Sequence, residues 1–171
     1  MIQIVKATQK DAKLLSKLSI ASFLVPHGHS APKVAIDNYV SSNFSEENFV
    51  NELSNSNFQY YLMYYKEEVA GFSKVIFNTE NENIVAKNTT KMERLYLLKE
   101  FYNLGLGKTF MHFNIQLAKQ QQQAGIWLAV WVENPRAIAF YKKTGFKIVG
   151  AYDFPISKTH SNPNHILYLE F

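Results

Sequence analysis

Residues 126–132, Ile-Trp-Leu-Ala-Val-Trp-Val, form a run with no polar side chain on either face. A strand of that kind needs cover on both sides, so it belongs inside a sheet with helices above and below. Its surroundings agree. Before it, Leu106, Phe110, Phe113 and Leu117 fall at i, i+4, i+7 and i+11, one stripe of a helix that stops near Ala124-Gly125. After it, Pro135 opens a short helix that ends before Gly145.

The rest of the chain fills in the same architecture. Ile2 to Ala7 alternates as a short strand. Thr8 with Asp11 reads as a helix cap, followed by Ala12, Leu15, Leu18, Ile20 and Phe23 at helical spacing, and the stretch Pro26–Pro32 is expected to end that helix in a loop. Val34–Val40 and Ser45–Leu53 read as short helices, the second capped by Ser45. Phe58–Tyr65 and Val69–Phe77, joined by Lys66-Glu67-Glu68, read as a hairpin. A polar, Asn-rich loop, expected to be mobile, covers 78–90. Met92–Leu98, Phe146–Phe154 and His165–Phe171 are the remaining strands. The expected fold is α/β: a mixed sheet of about seven strands with helices on both faces. Its 171 residues suit one domain, 1–171. Gln120–Gln123 is the one low-complexity tract, expected to be a solvated helix end without function.

Composition removes several classes. There is no cysteine, so disulfides, thiol nucleophiles and thiolate metal sites are excluded. No apolar run has the roughly 18 residues of a membrane span, and the N-terminus lacks the features of a signal peptide. A cytoplasmic protein that does not bind membranes is the expectation. Charge is unevenly spread: residues 91–148 hold nine basic groups and three acidic ones, whereas the remainder is slightly acidic. A nucleic acid or a small polyphosphate ligand accounts for such a segment equally well.

Between a strand and a helix lies Phe101-Tyr102-Asn103-Leu104-Gly105-Leu106-Gly107-Lys108-Thr109. Glycines there turn the chain tightly and expose successive N–H groups at a helix N-terminus, which favours anions. Two familiar phosphate loops fail the spacing. A Walker A loop needs glycine at Tyr102, and a dinucleotide fingerprint needs one at Phe110. A second block, Asn134-Pro135-Arg136-Ala137-Ile138-Ala139-Phe140-Tyr141-Lys142-Lys143-Thr144-Gly145-Phe146, follows the apolar strand, and Glu93-Arg94-Leu95-Tyr96-Leu97 precedes the glycine loop. Together these blocks resemble the GNAT superfamily of acyl-CoA N-acyltransferases and, within it, the PaiA-type spermidine/spermine acetyltransferases.

The resemblance implies a cleft where two parallel strands, 92–98 and 126–132, splay apart to hold acetyl-CoA. Leu95, Tyr96 and Leu97 would flank the pantetheine arm, with Leu95 and Leu97 pairing to it as a strand does. The N–H groups of Asn103, Leu104, Gly105, Leu106, Gly107 and Lys108 would hold the pyrophosphate. Asn134 would bond the pantetheine beside Ala137 and Phe140, and Lys142 or Lys143 would reach the nucleotide phosphates. One departure stands out: the family usually has Gln or Arg where this chain has Tyr102.

For the chemistry, the resemblance assigns Tyr141 as the general acid. A phenol near pKa 10 is matched to a leaving thiolate whose acid is near 8.5. Glu93, a carboxylate in an apolar strand, is the candidate base, directly or through water, and an ion pair with Arg94 or a lysine is its competing role. A backbone N–H near Leu95 would meet the developing oxyanion.

The implied reaction moves an acetyl group from acetyl-CoA to a primary amine, a polyamine or other small molecule. Protein or peptide N-acetylation and a non-catalytic CoA-binding regulatory module are the alternatives. Phe23, His27, His29 and Trp131 are candidate acceptor contacts. His27 and His29 also have the spacing of a metal pair, but no further ligands accompany them, so no metal is expected. Nor is nucleic acid, for which no helix–turn–helix or zinc spacing is present. The resemblance leaves room for a homodimer.

Overall fold

The computed structural model describes residues 1–171. The strands are β1 (Ile2–Lys6), β2 (Phe58–Tyr65), β3 (Glu68–Ile76), β4 (Thr89–Leu97), β5 (Gly125–Trp131), β6 (Lys147–Ser157) and β7 (His160–Glu170). The helices are α1 (Ala12–His27), α2 (Lys33–Asn43), α3 (Glu46–Ser54), α4 (Leu106–Gln120) and α5 (Pro135–Thr144). All seven strands form one sheet in the order β1-β2-β3-β4-β5-β7-β6, antiparallel except where β4 runs parallel to β5. The apolar strand is β5, near the middle, with six of its seven residues buried.

Alternation along the strands divides the core between two faces. Tyr60, Leu62 and Phe72 turn toward α1, α2 and α3, packing with Leu15, Phe23, Ile36 and Phe49. Val75, Met92, Ile126, Leu128 and Val130 turn the other way, toward Met111 of α4 and the inner side of α5. The N-terminal cap forms as expected, with Thr8 N–H donating to the Asp11 carboxylate at 2.8 Å, and Ser45 Oγ accepts from Asn48 N at 3.1 Å to open α3. No helix is long and apolar enough to cross a membrane.

Four local expectations are corrected. Helix α1 does not stop at Pro26 but continues to His27. Proline costs the helix one N–H, and in the last turn that loss is confined to a single carbonyl. The α4 stripe keeps Leu106 and Phe110 but is centred on Met111, Asn114 and Ala118 as well, with Phe113 and Leu117 only partly buried at its margins. Asn114 is tolerated there because it accepts from Ser73 Oγ (3.0 Å) and donates to Phe110 O (2.8 Å). Gln123 is not solvated: it is buried, accepts from Asn78 N (2.9 Å) and Thr90 Oγ1 (3.3 Å), and so ties the 78–90 loop to the end of α4. Finally, the two closing strands extend until they meet as a hairpin, with a register shift at Pro155 absorbing the proline.

Candidate active site

The β4–β5 ladder is short. Thr89, Thr90 and Lys91 pair with Gly125, Ile126 and Trp127, and beyond Lys91 the two strands part. A cleft of about 1140 Å³ opens through the sheet at this point, with walls from both faces. The unpaired edge of β4 presents particular residues to it. Leu98 N–H donates to Ala70 O of β3 at 2.9 Å, and the Tyr96 carbonyl lies against Gly71, where a Cβ would sit 2.1 Å from it. Backbone polar groups alternate sides along an antiparallel strand. Leu95 and Leu97 therefore aim theirs away from β3, into the opening.

At one end of the cleft the chain leaves β4 through a short 3-10 turn at Lys99–Phe101 and enters α4. Asn103 (φ 63°) and Gly105 (φ 76°) both adopt the left-handed conformation. None of the six amide N–H groups from Asn103 to Lys108 donates to the chain's own backbone. The first to do so is Thr109, to Gly105 O at 3.3 Å. The loop is thus a row of free donors at a helix N-terminus. Tyr102 carries the guanidinium of Arg136 over its ring at 3.8 Å, and Arg136 Nη2 donates to Asn103 Oδ1 at 3.4 Å. A cation from α5 therefore reaches the loop.

Helix α5 is placed by Asn134, whose Oδ1 accepts from Ala137 N at 3.2 Å. That cap leaves the amide NH2 of Asn134 available on the cleft wall. Ala137, Phe140, Tyr141 and Lys143 line the same wall. Phe140 and Phe146 pack edge-on against the Tyr141 ring, at 5.3 and 5.7 Å. Burial, followed by the neighbouring Tyr96, raises the Tyr141 pKa and keeps the phenol protonated.

On the other side of the sheet the cleft is aromatic and charged. Phe23 stacks on His27 (4.9 Å) and Tyr39 (5.1 Å), and His27 lies 5.4 Å from Trp131. Burial, then the nearby His29, lowers the His27 pKa from 6.5 to about 4, so the ring is neutral at pH 7. Beside this aromatic patch, Lys74 Nζ bridges Glu52 (2.8 Å) and Glu93 (2.5 Å), and Lys91 pairs with Glu93 at 3.1 Å. Burial alone would raise the Glu93 pKa; the Lys74 and Lys91 charges override it and hold the carboxyl at about 2.

The structure thus brings most of the expected residues to one cleft: Glu93, Leu95, Tyr96, Leu97, Tyr102, Asn103, Gly105, Leu106, Gly107, Lys108, Trp131, Asn134, Ala137, Phe140, Tyr141, Lys143, Phe23 and His27. Leu104, half-exposed, and His29, 5.8 Å from Trp131, lie off its wall. Sequence reasoning passed over Arg136, Lys74 and the site role of Arg94. Lys74 had a readable signal, since a lone lysine within a strand buried on both faces requires carboxylate partners.

A model of the acetyltransferase (GNAT) family matches residues 22–146 of the chain. An uncharacterized N-acetyltransferase of the pepI 3' region in Lactobacillus delbrueckii subsp. lactis is 26% identical over 144 residues, 84% of this chain and 83% of the relative. A spermine/spermidine N(1)-acetyltransferase of Bacillus subtilis (strain 168) is 27% identical over 93 residues, 54% of this chain and 61% of the relative. Among solved structures, the PaiA N-acetyltransferase of Thermoplasma acidophilum in complex with coenzyme A superposes with a TM-score of 0.78 at 21% identity, covering 100% of this chain and 99% of that one.

Proposed function

The chain belongs to the GNAT acetyltransferase family, and from that membership we propose that it transfers an acetyl group from acetyl-CoA to the primary amine of a small molecule. The observation that carries this reading is the row of unpartnered N–H groups from Asn103 to Lys108 beside the parted strands β4 and β5. The donors suit a pyrophosphate, and Arg136, Lys108 and Lys143 add charge of the right sign on the same wall. The backbone edge at Leu95 and Leu97 suits the amide-bearing pantetheine arm. The relative of T. acidophilum, solved with coenzyme A, lends support through its fold.

Acetyl-CoA supplies an acetyl thioester. Leu95 N–H, aimed into the opening, stabilises the carbonyl oxygen as it takes up charge. Tyr141, flanked by two aromatic rings and kept protonated by burial that makes it a weaker acid than a free phenol, donates its proton to the departing thiolate. Glu93 is already bonded to two lysines and too weak a base to keep the amine's proton, so that proton passes to solvent water as the amine nitrogen bonds to the thioester carbon and the C–S bond breaks. Phe23, His27 and Trp131 form the aromatic side of the acceptor site.

A polyamine acceptor draws its support from the name of the B. subtilis relative, which matches over about half of this chain. Calorimetry with coenzyme A at low ionic strength, together with amide NMR, tests the central claim. Binding with shifts concentrated at Asn103–Lys108 is the expected result, and binding with those amides unmoved refutes it.

A further inference from the structure

The wall of the cleft that faces α1–α3 carries three cations, Lys74, Lys91 and Arg94, against two carboxylates, Glu52 and Glu93. Both carboxylates are committed. Lys74 bridges them, Lys91 holds the second oxygen of Glu93, and Tyr60 OH donates to Glu52. Arg94 has no ion pair. The guanidinium's sole hydrogen bond is from Nη1 to Tyr60 OH, at 3.2 Å. Phe44 and Phe49 lie over the guanidinium at 5.1 and 5.5 Å, so aromatic contacts hold the group in place while its other N–H donors remain unmatched. None of those donors is sealed in the protein interior; they open on the cleft that Arg94 lines.

A largely desolvated guanidinium with unmatched donors is costly unless an anion completes it. Its planar fork fits a carboxylate in bidentate fashion. The same wall is unsuited to a second ammonium, which would have to compete with Lys74 for Glu52 or Glu93 in a field already in positive surplus. Resting on the acetyltransferase reading above, we propose that the acceptor is a small amine that also bears a carboxylate, and that Arg94 binds that carboxylate.

The test measures free-thiol release from acetyl-CoA with matched acceptors: glycine against glycinamide, and ω-amino carboxylates of increasing length against the monoamine and diamine of the same length. The best amino carboxylate should exceed its matched amine and diamine in kcat/KM by about tenfold or more, as a charge-assisted bidentate pair requires. Arg94→Gln should collapse that ratio through KM, with acetyl-CoA affinity retained in calorimetry and folding checked by thermal melting. Arg94→Lys should restore only part of it. Preference of the wild-type protein for diamines or spermidine, or turnover of no carboxylate-bearing amine, overturns the proposal without any variant being needed. Loss of selectivity through kcat alone in Arg94→Gln also counts against it. A wild-type protein that does not bind acetyl-CoA refutes the transferase reading itself, whereas binding with a diamine preference removes only the acceptor class.

Discussion

The Arg136 guanidinium lies 3.8 Å above the centre of the Tyr102 ring and donates to Asn103 Oδ1. Tyr102 occupies the position where the resemblance drawn from the sequence leads one to expect a Gln or Arg donor. The charge missing there enters from α5 instead, on an arginine seated over a phenol. Arg136→Ala should raise the Kd of coenzyme A by roughly tenfold, in line with loss of a charge-assisted contact, and should do so less at high salt. Tyr102→Leu should produce part of the same loss by removing the platform. Titration calorimetry at two ionic strengths decides it.

Tyr141 is fixed by Phe140 and Phe146, and its buried phenol stays protonated. Removing the hydroxyl alone takes away the proton donor and little packing. Tyr141→Phe should lower kcat by about 10² or more while the Kd of acetyl-CoA changes little. Steady-state kinetics beside direct binding gives the answer; equal kcat in both proteins would remove Tyr141 as the acid.

His27 gives a pH window. Its pKa is about 4 in the folded protein and 6.5 when free, so between these values the unfolded chain binds the extra proton more readily. Stability attributable to the neutral ring is therefore complete above about pH 6.5 and declines as pH falls toward 4, by up to about 2–3 kcal/mol. His27→Phe should flatten that decline. Melting curves from pH 7 to 4 for both proteins provide the comparison, and parallel curves would contradict it.

Gly71 faces the Tyr96 carbonyl so closely that a Cβ would come within 2.1 Å of it, and within 3.0 Å of Leu97 Cα. Neither atom belongs to a flexible side-chain end, so β3 and β4 must separate to admit a methyl group. Gly71→Ala should destabilise the protein by about 2–3 kcal/mol. It should also weaken acetyl-CoA binding, because Leu97 shifts with the strand. Urea unfolding and calorimetry test the two halves separately.

Much of the fold was legible because its signals are local. The two-faced apolar run announced β5, Asn134-Pro135 announced the start of α5, and the glycine loop announced a turn of exposed amides; each is complete within a dozen residues. The charge network is different. Glu52 comes from α3, Tyr60 from β2, Lys74 from β3 and Arg94 from β4, and only the register Lys74 opposite Arg94 brings them together. Likewise Arg136 and Tyr102 are joined by the return of α5 to the cleft, which no spacing rule encodes. Pro26 misled for another reason: a helix-breaking residue is cheap in a last turn, and burial of Phe23 carries α1 through it.

Only three residue pairs connect β4 with β5, so the molecule is two half-sheets sharing a narrow seam. Whatever lies along the parted edges stitches both halves at once. Amide hydrogen exchange in β1–β4 and in β5–β7 should therefore slow in concert when the cleft is filled, as if one fastening had been closed across two panels.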